Sequence, residues 1–234
     1  MYNCEESLQP SSKVPQLANS LFQIHDNRRR RMLHASCSLM SLMSFAAGTL
    51  MTGASSQPHY LLLSQPDNGV PNNVQFPLIC YPQAAPRDNT NLVVWFEACF
   101  STNQWLPCGR YPLHPYTHFH PNTHEVLGIC AGWAELLFGG DNGRMMTVHA
   151  GDAVLIPAGV GHKQVAASDD FFAVVAYPCG VQPETQRDDK ALLSLALEAV
   201  KQVAMPQTDP LLGDEGGLVE IWHPLTRAGN PQDI

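Results

Sequence analysis

From residue 118 onward the chain alternates short apolar runs with breaks rich in Gly, Pro and Asn, the pattern of a protein built from short strands. Val126-Leu127-Gly128-Ile129-Cys130 is a continuous apolar run and predicts a buried strand. Ala134 to Phe138 and Arg144 to Val148 predict two more. Gly139-Gly140-Asp141-Asn142-Gly143 joins them and predicts a hairpin, because Gly and Asn accept positive φ. Gly151-Asp152 is a turn into Ala153-Val154-Leu155-Ile156, and Pro157-Ala158-Gly159-Val160-Gly161 ends that strand. Phe171 to Tyr177 is a further β-rich run. Such strands at regular spacing predict an all-β chain folded as a closed barrel or jelly roll.

Two stretches carry a helical period instead. Asn89-Thr90-Asn91 caps a predicted helix over Leu92 to Ser101, with Leu92, Phe96 and Phe100 as its buried stripe. Val93-Val94-Trp95-Phe96 also admits a strand. Asp188 or Asp189 starts a second predicted helix, which runs to Val203 and ends at Pro206. Leu192, Leu195, Ala196, Ala199 and Val203 share one face of it, so it is expected to pack on the outside of the barrel. The tail after Arg227 is expected to be loose.

Residues 1–57 break the pattern and are set apart as an N-terminal extension; 58–185 are assigned to the barrel and 186–234 to the C-terminal helix and tail. Residues 1–27 are polar and expected to be disordered. Arg28 to Arg31, the weakly apolar run Ala35 to Met51 and the small residues Thr52-Gly53-Ala54 resemble a twin-arginine export signal. Three readings stay open. One is a start set too far upstream or a cytosolic extension, which makes the protein cytoplasmic. The second is twin-arginine export to the periplasm. The third is a mitochondrial presequence, which Glu5, Glu6 and Asp26 oppose. The run is too weakly hydrophobic for a stable membrane span.

Composition narrows the function. The 234 residues are 44% hydrophobic and 15% charged, enough for one domain with a sizeable core. A net charge of −8 argues against nucleic-acid binding, which needs clustered Lys and Arg. Seven cysteines are scattered without a C-x-x-C pair, so they are expected to be reduced thiols and not a zinc ribbon. Cys130 is expected to pack in the core, and a Cys108–Cys179 disulfide has no support in the sequence.

The histidines carry the chemistry. Six of the ten fall between residues 114 and 162. His118-Phe119-His120 puts two imidazoles on one face of a strand. Pro121-Asn122 then resets the phase, so Glu125 can join that face and His124 points the other way. His162 follows the Pro157 break. Three imidazoles and one carboxylate suit a divalent transition metal with open positions. Iron or manganese is favoured, with zinc, nickel or cobalt possible. His114 and Tyr116 alternate with His118 and are candidates for the barrel mouth; His149 and Arg144 are expected to face solvent, and Lys163 to point away from the metal site.

The two strings His118-x-His120-x4-Glu125-x6-Gly132 and Gly151-x5-Pro157-x-Gly159-x2-His162 resemble the two cupin motifs. By that resemblance His118, His120, Glu125 and His162 occupy the family's metal-ligand positions. Pro112 and Ala166 stand where the family usually has glycine and asparagine, neither a usual ligand. A narrower likeness, to the YjlB-type single-domain cupins, rests on Val70-Pro-Asn-Asn73, Trp95-Phe-Glu97, His124-Glu-Val-Leu-Gly128, Ala176-Tyr-Pro178 and Thr208-Asp-Pro210. The resemblance implies a homodimer and a small-molecule substrate or ligand. It does not choose a reaction. Two classes are carried forward. The first is a metal-dependent enzyme of dioxygenase, decarboxylase or isomerase type on a small polar or organic-acid substrate. The second is a non-catalytic module that binds or senses metal and a small ligand.

Overall fold

A computed structural model describes residues 57–228, within the unit Thr52–Ile234. The expectations placed on residues 1–56, the export signal included, and on the end of the tail lie outside the described residues.

The elements, in chain order, are β1 (His59–Leu61), β2 (Leu78–Tyr81), α1 (Leu92–Thr102), β3 (Trp105–Tyr111), β4 (His118–Phe119), β5 (Glu125–Ala131) and β6 (Trp133–Phe138). They continue with β7 (Arg144–His149), β8 (Ala153–Ile156), β9 (His162–Ala167), β10 (Phe172–Pro178), β11 (Gln186–Arg187) and α2 (Leu193–Lys201). A π-helical turn (Leu218–Trp222) then runs into α3 (His223–Ala228). All pairing is antiparallel. One sheet has the order β1-β2-β8-β5-β10-β3 and the other β11-β4-β9-β6-β7. The two face each other as a jelly-roll barrel, the arrangement expected from the strand pattern.

Strand alternation explains both the core and the sequence. Leu127 and Ile129 on β5, Val154 and Ile156 on β8, and Val175 and Tyr177 on β10 point into the barrel, where Leu136, Phe138 and Val148 of the second sheet meet them. Their neighbours Val126, Leu155, Val174 and Ala176 point out of the barrel, onto Phe96, Phe100, Trp105, Leu218 and Trp222. The central strands of the first sheet are thus buried on both faces, which is why β5 reads as an unbroken apolar run.

The helix over residue 92 wins against the alternative strand. Asn91 accepts from the Val94 N–H at 3.2 Å, and Phe96 and Phe100 are buried as expected. The hairpin expectation holds, although Gly139 and Gly140 alone take positive φ; Asn142 is fixed instead by Asp67, which accepts from its backbone N–H. The second helix differs. It starts at Leu193, because the Asp189 carboxylate closes a local turn onto the Ala191 N–H at 2.8 Å. Of the expected inner face only Ala196 is buried, packed with Val70 and Phe119, and Leu195 is 71% exposed. The helix is apolar on two stripes, and the one through Leu193, Ala196, Leu197 and Val200 faces the barrel.

The sequence patterns leave the segment after Pro206 unread, yet it is well anchored. Asp209 is fully buried and accepts from the Tyr81 hydroxyl and from the backbone N–H groups of Leu211, Leu212 and Leu218. Trp222 donates its indole N–H to the Pro77 carbonyl at 2.9 Å. The five described cysteines are free thiols, so no bond joins Cys108 to Cys179. Among the described residues no helix is long and apolar enough to cross a membrane.

Gly128 is the contact point of sheet and helix. A Cβ there would lie 2.4 Å from Cγ of Phe96. Gly128→Ala therefore forces α1 off the sheet and is expected to destabilise the protein by about 1–3 kcal/mol, as read by urea denaturation.

Candidate metal centre

Antiparallel pairing sets His118 of β4 directly opposite His162 of β9. His120 follows β4 by one residue. Pro121 to His124 turn the chain across to the other sheet, where Glu125 is the first residue of β5. The cluster therefore takes three imidazoles from one side of the barrel and a carboxylate from the other. All four are buried, none more than 5% exposed.

The histidine ligand atoms all lie within 4.8 Å of one another. Each ring is oriented by a backbone carbonyl at Nδ1: Tyr116 for His118 at 3.2 Å, Glu184 for His120 at 2.9 Å and Val160 for His162 at 3.1 Å. A carbonyl can only accept, so each Nδ1 carries a proton, and a ring in its neutral form turns a lone pair on Nε2 toward the others. Tyr177 donates its hydroxyl to Glu125 Oε1 at 3.0 Å and leaves Oε2 facing the rings.

Glu125 Oε2 lies 3.0 Å from His162 Nε2 and 3.5 Å from His120 Nε2. These are ion-pair distances, but the direction is wrong for a hydrogen bond, and both Oε2 and His120 Nε2 are buried without a hydrogen-bond partner. Direction decides here, since acceptors pointed at one another leave a gap that only a proton or a cation fills. The electrostatics agree. Burial opposes a charged Glu125, yet His120 and His162 outweigh it and hold the carboxyl well below its ordinary range. Burial likewise opposes a charged His120, and Glu125 with the Glu184 carbonyl overcomes it and raises that ring. For His118, burial and then His162 outweigh the pull of Glu125 and the Tyr116 carbonyl and push it down to about 2.

All four residues singled out by their spacing come together. His124 does not join them. It sits on the far face of the wall, 1% exposed, its Nδ1 accepting from the Ala158 N–H at 3.0 Å, and burial holds it down at about 3. His114 and Tyr116 stack at 4.7 Å beside the site, and the His114 ring meets His118 edge-on at 4.8 Å. His149 and Arg144 are exposed. Lys163 points outward, 3.9 Å from Asp141. Two neighbours escaped the sequence reading. Tyr177 was readable from its phase, since Ala173, Val175 and Tyr177 share a face. Arg187 of β11 lies opposite His118, its guanidinium 3.9 Å over the Tyr116 ring, and no spacing signals that pairing.

The double-sheet barrel defines the class by its fold, a jelly roll of the cupin type, and its inward histidines form a candidate site for a divalent metal. No family model matches the chain. Protein YjlB of Bacillus subtilis (strain 168) is 40% identical over 158 residues, which cover 67% of this chain and 93% of that protein. The chain belongs to the YjlB family. Among solved structures, a mutant of Bacillus subtilis oxalate decarboxylase OxdC aligns at 19% identity and a TM-score of 0.24, over 47% of this chain and 22% of that one. A second structure, of the same organism's oxalate decarboxylase with Mn(II) centres, aligns at 15% identity and a TM-score of 0.26. That alignment covers 66% of this chain and 41% of the other. The chain therefore spans well under half the length of either.

Burial and the Glu125 carboxylate both raise the Tyr177 hydroxyl, which stays a donor. Tyr177→Phe removes the one hydrogen bond that Glu125 Oε1 makes among the described residues. In metal-free protein it is expected to cost about 1.5–3 kcal/mol, measured by chemical denaturation.

Proposed function

We propose that this protein is a divalent-metal-dependent enzyme acting on a small organic acid, with dioxygenase, decarboxylase or isomerase chemistry. One observation carries the metal: the ligand atoms of three buried histidines converge with Glu125 Oε2 beside them, and Oε2 and His120 Nε2 have no hydrogen-bond partner. The donor set fits, since three neutral imidazoles and a carboxylate match the preferences of Mn(II), Fe(II), Co(II), Ni(II) and Zn(II). Nε2 of His118, His120 and His162 and Oε2 of Glu125 would hold the ion. Iron or manganese leads because availability decides where affinities overlap. When bound with positions left open, such an ion supplies Lewis-acid or redox chemistry.

The protein's own groups do the positioning. The carbonyls of Tyr116, Glu184 and Val160 fix the ring tautomers, and Tyr177 fixes the carboxylate. Burial keeps bulk water from the cluster. Arg187 supports the acid substrate. It stands beside His118, its cation–π contact with Tyr116 holding an exposed guanidinium at the edge of the site, where a carboxylate can pair with it. His114, held neutral by burial and then by His162, adds a polar edge without a competing anion.

The metal reading is tested by elemental analysis of untagged full-length protein beside His162→Ala. Near-stoichiometric iron or manganese, lost in the variant, is expected; folded wild type that neither contains nor takes up metal overturns it. The substrate reading is tested by screening small mono- and dicarboxylates against metal-loaded protein. Binding with no turnover of any would favour the non-catalytic module. Arg187→Ala is expected to leave metal content unchanged and to weaken carboxylate binding about 10-fold, read by calorimetry.

A further inference from the structure

We infer that a cavity of about 200 Å³ on the outer side of the barrel wall is a second ligand site, for a small neutral carbonyl compound bearing one ring. It does not depend on the metal reading. His124 lines it, together with Trp105, Val203, Ala204, Met205 and Pro206. Strand alternation turns His124 away from Glu125, so this cavity and the histidine cluster lie on opposite faces of the same wall.

The recognition group is the His124 ring. The Ala158 backbone N–H donates to Nδ1 at 3.0 Å, so the ring proton sits on Nε2. Flipping the ring would point a C–H at that backbone donor, and Trp222 at 4.9 Å and Phe76 at 6.1 Å between ring centroids pack against it. Nε2 is fully buried and has no hydrogen-bond partner. The Ala204 carbonyl on the cavity wall is near enough to favour a proton there but is not in hydrogen-bonding geometry. A buried N–H left in this state is rare and marks a place where a partner is missing.

The rest of the wall narrows the ligand. The Asn122 amide is occupied at both ends, by the Gln182 carbonyl and the Glu184 N–H. Thr208 donates to Asn103, and the Trp105 indole donates to the Thr208 carbonyl. No charged side chain lines the cavity among the described residues, which disfavours an ion. Inside the exposed amides of Gln104 and Gln207, what remains is an apolar space with one buried donor unmet among the described residues. A dry cavity of roughly 150 Å³ accepts benzene, so this one has room for a ring and a carbonyl oxygen on Nε2–H. A small aromatic ketone, aldehyde or amide meets both demands.

The test uses acetophenone and α-methylstyrene, which has a CH2 group in place of the carbonyl oxygen. Binding to the full chain is followed by saturation-transfer NMR, with protection of exposed Cys179 on the cavity rim from iodoacetamide as a second readout. Acetophenone is expected to bind about 10-fold or more tightly than its isostere, because the site is left with an unpaired donor by the latter. Ala204→Leu, at an exposed position, is expected to abolish binding and the protection of Cys179. Equal affinity for the two probes, binding of neither, or binding unchanged in Ala204→Leu each overturn the inference. The first of these would mean that a water satisfies Nε2–H.

Discussion

Neighbouring side chains on a strand point to opposite faces, and this chain applies that constraint to central sheet strands that have no solvent face. The outer surface of β5, β8 and β10 lies under α1 and the C-terminal segment, and their inner surface lies in the barrel. Every residue of β5 must therefore suit a buried environment. Gly128 does so by leaving room for Phe96. The same rule governs the polar start of the strand. Glu125 faces inward among the histidines, and His124, one residue earlier, faces the aromatic layer outside. Two buried polar groups on adjacent residues thus serve separate surroundings.

The inward cluster is costly for a chain that must fold. Lone pairs of like sign are held together, away from water, by carbonyls and a tyrosine that cannot relax. In the metal-free protein the cost is offset by the attraction of Glu125 for His120 and His162, which is why the first two titrate in opposite directions. That attraction is an incomplete solution, since Oε2 and His120 Nε2 still lack a directed partner. Hydrophobic packing of the same volume would be at least as stable. The cluster therefore owes its place to something other than the stability of the metal-free fold, as a candidate cation site would.

Much of this was legible in the sequence, for definite reasons. The turn-punctuated apolar runs identify the strands because turn chemistry is local, and the four cluster residues sit in two short strings whose turns fix their phase. What was not legible depends on distant packing. α2 is apolar on two stripes, and only the tertiary fit of Ala196 against Val70 and Phe119 chooses one. Asp209 reads as a loop residue until Tyr81 and three backbone donors surround it. Arg187 lies near His118 because β11 returns across the second sheet, a pairing with no local signal.

The two polar groups at the start of β5 also bear on how the site keeps its shape. A carboxylate at a strand end is prone to fray, because the last pair of a ladder has a neighbour on one side only. Here Glu125 pairs with Ile156 of β8, and two residues further on Ala158 donates its backbone N–H to His124. The imidazole therefore extends the β5–β8 contact beyond the final backbone pair. Asn73 adds to it by donating to the Ala158 carbonyl at 3.0 Å, while its own Oδ1 accepts from Phe76. The break at Pro157 to Gly161, which delivers His162, is clamped from both sides by side chains that are not themselves in the cluster. On this account the position of His162 relative to Glu125 rests on the pairing of His162 with His118 and Phe138 together with the His124 and Asn73 contacts that hold the turn between them.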